Sequence, residues 1–192
     1  LHKESDLFFN WYLPGVIGKR RSKKYKTLIK KELTKIYKKI YFKNKYFVHR
    51  DFHLSNLMLK KKKLCIIDSQ DAIIGNPIYD LVSLVDDVRT KTSLLIKKKM
   101  TNFYLKKSFK IFKNKNYKFK NDFDILSIQR NLKILGIFYR LHKRDKKSKY
   151  LKYIPYTWKL IELRTKHDQF KKLNNLLNEA VDKKIRKKNK FI

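Results

Sequence analysis

Asp51, Asn56 and Asp68 are the residues whose types and spacing point to chemistry. The first two sit in "YFVHRDFHLSNLML", residues 46–59, where an apolar run ends at Val48 and another begins at Leu57. Asp68 closes the next apolar run, "LCIID". An amide and a carboxylate are hard oxygen donors, the kind Mg²⁺ takes when substrate phosphates complete its shell. A second carboxylate, offset from that pair, can accept a hydroxyl proton. A base beside a two-residue magnesium holder is the minimum for metal-assisted phosphoryl transfer to an alcohol. A lone D-x-x-x-x-N is a weak signal, whereas the set completed by Asp68 is strong. The bland alternative makes Asp51 a turn cap and gives Asn56 and Asp68 Asx-turn roles.

The flanking polar residues have narrower expected roles. His49 braces the loop by hydrogen bonds. His53 supports the loop or binds substrate. Arg50 neutralises nearby carboxylates or is simply solvated. Gln70 and Asp71 reach toward an acceptor or belong to a polar loop. Asp80, in "YDLVSL", opens a helix and anchors it to the loop. Zinc held by His49, Asp51 and His53 would leave an open coordination position. Strand-like alternation sends those neighbours apart, and no further ligand cluster accompanies them.

These residues need elements to hold them. The spacing predicts a helix over 24–43, a strand over 46–48, and a hairpin of 57–60 with 64–68 across a lysine turn. A loop holding Gly75 and Pro77 follows, then an amphipathic helix over 78–89. Further helices are expected near 92–112, 122–142, 149–164 and 167–185. The last fades into a frayed basic stretch, "KKIRKKNK". The expected fold class is α+β and mainly helical, with a small β-hairpin carrying the polar motif. The expected organisation is one domain over 1–185 and a basic tail over 186–192.

Bulk properties bound the function classes. The 192 residues can bury a core, and 42% are hydrophobic, so the chain is not a disordered tail. No apolar run approaches the ~20 residues of a membrane span, and no signal-peptide pattern opens the chain. Its one cysteine, Cys65, rules out an intrachain disulfide and reads as a buried small hydrophobe. A reducing cytoplasm fits. The net charge of +35 fits a polyanion partner, a non-catalytic nucleic-acid-binding protein included. Against that, the basic residues spread over every expected helix. Trp11, Tyr12 and Trp158 read as core rather than as sugar platforms. Met58 is the first methionine and lies inside the motif, so the reading frame is expected to begin upstream of Leu1.

The order Asp51, Asn56, hairpin, Asp68 is the catalytic-loop pattern of kinases. Departures from protein kinases are specific. His53 stands two after the base, Ser69-Gln70 follows the metal aspartate, and no room exists for an activation segment. With H-x-D-x-H-x-x-N, the chain resembles the aminoglycoside phosphotransferase and choline kinase group. The segments "FFNWYLPG", "FVHRDFHLSNLM", "IIDSQDAIIGNPIYDLVSLVDDVR", "QRNLKILGIFYRL" and "KYLKYIPYTW" are most similar to bacterial anomeric kinases of N-acetylmuramate and N-acetylglucosamine. Residues 90–125 and the tail are the least distinctive part. The resemblance implies a kinase-like C-terminal lobe, ATP and Mg²⁺ as cofactors, and a sugar 1-phosphate made for cell-wall recycling. Arg130 and Asn131, in the resembling "QRNLKILG", line the acceptor pocket or form a polar helix face. Other acceptors remain open, among them an aminoglycoside, choline or homoserine. A decayed scaffolding kinase is argued against by intact Asp51, Asn56 and Asp68. Gly15 and Gly18 are the only close glycine pair, and no P-loop or G-x-G-x-x-G occurs. The nucleotide-covering N-terminal lobe is therefore expected to be absent, and the piece alone weakly active or inactive.

Overall fold

The structure, a computed structural model, describes residues 1–113 and 115–187. It is mostly helical with two small antiparallel sheets. The chain divides into two compact units, Leu1–Lys39 with Ile128–Ile192, and Ile40–Ser127.

The first unit opens with α1 (His2–Leu7), a π-helical turn (Phe8–Tyr12), α2 (Leu13–Ile17) and α3 (Lys19–Tyr37). Pro14 lies within this continuous helical run, directly after the π-helical turn, where its missing N–H and its ring interrupt regular α-helical bonding. Gly18 separates α2 from α3 at φ 79°, a conformation other residues adopt only with strain. Helix α3 therefore begins earlier than 24 and ends at Tyr37. Lysine and arginine are good helix formers, so the basic run from Lys19 lies inside the helix. Tyr25, Ile29, Leu33, Ile36 and Tyr37 form its buried stripe.

Four further α-helical segments of this unit lie among the described residues. They are the second part of α7 (Asn116–Lys143), α8 (Ile154–Arg164), α9 (Lys171–Ala180) and α10 (Lys183–Arg186). Helix α7 starts six residues before the expected 122. Gly136 is buried in it where only hydrogen fits: a Cβ there would stand 2.2 Å from the backbone carbon of Leu7. Tyr12 and Trp158 are core, as expected, and the Trp158 indole donates to the Tyr12 hydroxyl at 2.8 Å. The Arg186 guanidinium lies 4.2 Å from the Trp158 ring and bonds Glu162, Val181 O and Leu177 O. Thus Arg186, within the stretch expected to fray, is buried. The remainder of the expected tail, 188–192, lies outside the described residues.

The second unit holds the strands. β1 (Tyr46–Val48) pairs with β4 (Ile73–Gly75), and β2 (Leu57–Lys60) pairs with β3 (Lys63–Ile66). The hairpin stands as expected, turning at Lys61 and Lys62, both with positive φ. Its second strand stops at Ile66, short of the expected 68, because Asp68 turns to φ 70°. β4 corrects the expected loop: its partner lies 27 residues upstream, too far for local pattern to reveal. Cys65 is half-exposed and not buried, because the hairpin shows both faces to solvent.

α4 (Tyr79–Val85) is shorter than the expected 78–89. Asp86 leaves the helix, and its carboxylate is buried between Lys97 Nζ at 2.7 Å and Ser127 Oγ at 2.6 Å. The expected helix near 92–112 breaks at Ser108 into α5 (Leu94–Lys107) and α6 (Phe109–Phe112). Val48, Ile78, Val82, Val85, Phe112 and Phe123 belong to the core, to which α7 contributes its first part. Burial of such side chains contributes about 2 kcal/mol each.

Candidate functional site

The loop between β1 and β2 is held by its backbone. Asp80 lies in the first turn of α4, and its carboxylate accepts the N–H of His49 at 2.7 Å and of Arg50 at 3.0 Å. Arg50 sits at φ 71°, a strained conformation for a side-chain-bearing residue. Two charge-assisted hydrogen bonds to adjacent amides are what hold such a kink. Ser83, one turn along α4, directs its hydroxyl at the Arg50 carbonyl at 3.5 Å. Downstream, the His53 N–H donates to Asp51 O and the Asn56 N–H to His53 O, both at 2.9 Å. A single 3-10 turn, Leu54–Asn56, results.

The second kink delivers Asp68. His49 Nε2 donates to Ile67 O at 3.0 Å, and the Ile67 N–H donates to Asn56 O at 3.1 Å. These bonds tie the strand exit to the loop. The Asn56 amide then donates to Asp51 O at 3.0 Å and to Asp68 Oδ2 at 3.4 Å. Gln70 Nε2 donates to Asp68 Oδ1. Arg50 Nη1 reaches Asp71 O, the backbone carbonyl, at 3.2 Å.

The expected residues therefore sort as follows. Asn56 and Asp68, twelve apart in sequence, meet side chain to side chain. Asp51 joins them through its carbonyl, with its side chain half-buried. His49 and His53 are buried in the loop's support, while Arg50, Gln70 and Asp71 lie on the more exposed side. Asp80 is the anchor of the loop. Arg130 and Asn131 are buried in α7 and belong to the other unit.

A second backbone clamp escaped the sequence reading. Asp122 accepts the N–H groups of Tyr41 and Phe42 at 2.9 Å, and Asn76 donates to both Phe42 O and Asp122 Oδ2. This clamp fixes the chain entering β1 against the chain leaving β4. Its one sequence signal is an Asn-Pro pair at 76–77, a turn marker.

The donor set suits magnesium. One amide oxygen and one carboxylate are few ligands, and Mg²⁺ keeps water and phosphate oxygens for the rest. Among the described residues, no three His, Cys, Asp or Glu side chains gather as a metal cluster. Zinc would want such a set. Phe47, Leu59, Leu64 and Ile74, on the two sheets, are exposed.

Residues 37–102 match the phosphotransferase enzyme family. That stretch contains the loop, the hairpin, both clamps' strand-side partners and α4. The chain is also similar to proteins named N-acetylmuramate/N-acetylglucosamine kinase. The protein of Neisseria meningitidis is 32% identical over 163 residues, covering 80% of this chain and 47% of the relative. That of Pseudomonas aeruginosa is 29% identical over 172 residues, covering 84% and 49%. That of Caulobacter vibrioides is 30% identical over 122 residues, covering 61% and 33%. The relationship expected from the motifs holds. The chain spans about half the length of the first two of these relatives. No helix among the described residues is long and apolar enough to cross a membrane.

Proposed function

We propose that the chain carries the catalytic and metal-holding part of an ATP-dependent kinase, arranged as a kinase-like C-terminal lobe. The acceptor is the anomeric hydroxyl of an N-acetylated amino sugar, N-acetylmuramate or N-acetylglucosamine, in cell-wall recycling in the cytoplasm. The observation that carries the reading is the Asn56–Asp68 pair beside the Asp80-clamped Asp51 loop. The relatives' names supply the sugar.

In this reading the Asp51 carboxylate orients the acceptor hydroxyl and takes its proton. The acceptor oxygen forms its bond to the γ-phosphorus while the bond from that phosphorus to the β–γ bridging oxygen breaks, and ADP leaves. Asn56 and Asp68 would hold Mg²⁺, which would supply neutralisation of the charge developing on the phosphates. Gln70 steadies the Asp68 carboxylate. His49 and Asp80 keep Asp51 in register with the metal pair, and positioning of this kind carries much of the rate in phosphoryl transfer. Gln70 and Asp71 are candidates for acceptor contacts. The exposed apolar strand residues offer a surface suited to a purine base. The excess of basic residues favours phosphate-bearing ligands without selecting one.

The test uses the full natural protein that contains these 192 residues. Transfer from ATP is measured with N-acetylmuramate, N-acetylglucosamine, kanamycin, choline and homoserine, and the product is located by phosphorus NMR. Phosphate at C1 of an amino sugar is expected, with Asp51→Asn slower by about 10³-fold. Transfer only to another acceptor would keep the phosphotransferase site and remove the amino-sugar assignment. An Asp51→Asn protein as fast as the parent would remove the base.

A further inference from the structure

We propose that the segment from Arg89 to Lys120 is a docking face for an anionic phospholipid bilayer. Between Val88 and Asn121 there are twelve Lys or Arg residues and no Asp or Glu. The same stretch exposes large apolar side chains. Leu94 is 68% exposed, Leu95 63%, Ile96 49%, Phe103 64%, Phe109 55% and Tyr117 73%.

Packing among the described residues leaves those side chains uncovered. The inner side of α5 is already supplied by Met100, Tyr104 and Leu105, which pack on the core, and by Lys97 in its buried pair with Asp86. Leu95, Ile96 and Phe103 nevertheless stand exposed on the same helix. Ile96 and Phe103 are seven apart and share one side of the helix. Lys99 and Lys106 lie between and beside them, exposed on that same outer side. Lys107 Nζ stands 5.7 Å from the Phe103 ring centroid and Lys118 Nζ 5.5 Å from that of Tyr117. Lysines beside apolar residues can keep their heads with phosphates while the stems and rings enter the acyl boundary.

Charge complementarity selects the partner. A second copy of this face would meet the same excess of positive charge, so self-association is opposed. Nucleic acid satisfies the lysines and can stack on Phe103, Phe109 and Tyr117. It gives no apolar environment to the contiguous Leu94-Leu95-Ile96. A bilayer rich in anionic lipid satisfies both, since basic residues are drawn to its surface and apolar side chains gain by entering it.

The test is co-sedimentation of the full natural protein that contains these residues with vesicles of phosphatidylglycerol and phosphatidylcholine, against phosphatidylcholine alone. Partition stronger by roughly tenfold or more on the anionic vesicles is expected. Three variants separate this face from generic charge, each checked for an unchanged circular dichroism spectrum and melt. Lys98→Glu with Lys99→Glu and Lys106→Glu should lose most of the binding. Leu95→Ser with Ile96→Ser and Phe103→Ser should lose it too, at unchanged charge. Lys23→Glu with Lys31→Glu and Lys35→Glu, on exposed positions of α3, makes the same charge change elsewhere and should stay within about twofold of the parent. Equal loss in the α3 variant would overturn the proposal in favour of general basicity. So would full binding by the serine variant, or capture of short single-stranded RNA without partition onto vesicles. None of these readouts depends on phosphate transfer.

Discussion

The two units settle their buried polar groups in different ways. In the first unit, mostly helical, the helices satisfy most of the backbone, and side chains such as Tyr12, Trp158 and Arg186 meet other side chains or carbonyls near helix ends. In the second unit, short strands and kinked loops leave amide N–H groups without ladder partners. Carboxylates take them: Asp80 for His49 and Arg50, Asp122 for Tyr41 and Phe42. An unpaired buried amide is expensive, so a loop that must depart from regular geometry needs a fixed acceptor. A site built on such a loop is positioned by residues that never touch the reacting groups.

The largest effect that tests this contrast is on Asp80. Asp80→Ala should slow phosphate transfer by about 10²-fold, through a displaced Asp51, while the first unit's helices keep their hydrogen-exchange protection. Parent-like turnover in that variant would show that the loop keeps its kink unaided. Gly136→Ala comes next and addresses the other unit. The new methyl would meet the Leu7 backbone, which cannot retreat as a side-chain tip can, and a loss of about 3 kcal/mol in urea unfolding is expected. An unchanged midpoint would mean that α7 and the segment at Leu7–Phe8 can separate without penalty. Tyr12→Phe is milder: it leaves the buried Trp158 N–H without its acceptor, and about 1–2 kcal/mol should be lost.

The smallest effect is in alkaline titration. Burial pushes the Tyr12 phenol well above its ordinary value near 10, and burial raises Tyr104 as well. A group raised in the folded state supports folding below its unfolded value and loses that support as pH climbs past it. Stability should therefore decline above about pH 10, and less steeply in Tyr12→Phe. Tyr41 moves the other way, lowered by its hydrogen bonds to Lys115 and Lys118. Absorbance at alkaline pH should show an early, solvent-exposed tyrosine that disappears in Tyr41→Phe. Ionisation of all the tyrosines in one step at the ordinary value would contradict both shifts.

The sequence by itself singled out Asp51, Asn56 and Asp68 as candidates, and it determined the hairpin between the last two and the predominance of helix. Periodicity, turn residues and motif spacing are local properties, and these features are local. Asp80 was also legible, because an acidic residue opening a helix just after the motif has few other tasks. The tertiary structure decided the rest. β4 depends on a partner 27 residues away. Helix α4 stops at Val85 because Asp86 is claimed by Lys97 and Ser127, eleven and forty-one residues distant. Asp122, which no motif contains, clamps the entry to β1 from eighty residues downstream. Whether an apolar run such as "LCIID" is covered or left in solvent is likewise set by what packs on it. The exposure of the hairpin and of α5 therefore had to be seen in three dimensions, because a side chain's type fixes its preference for burial but not whether a neighbour is there to provide it.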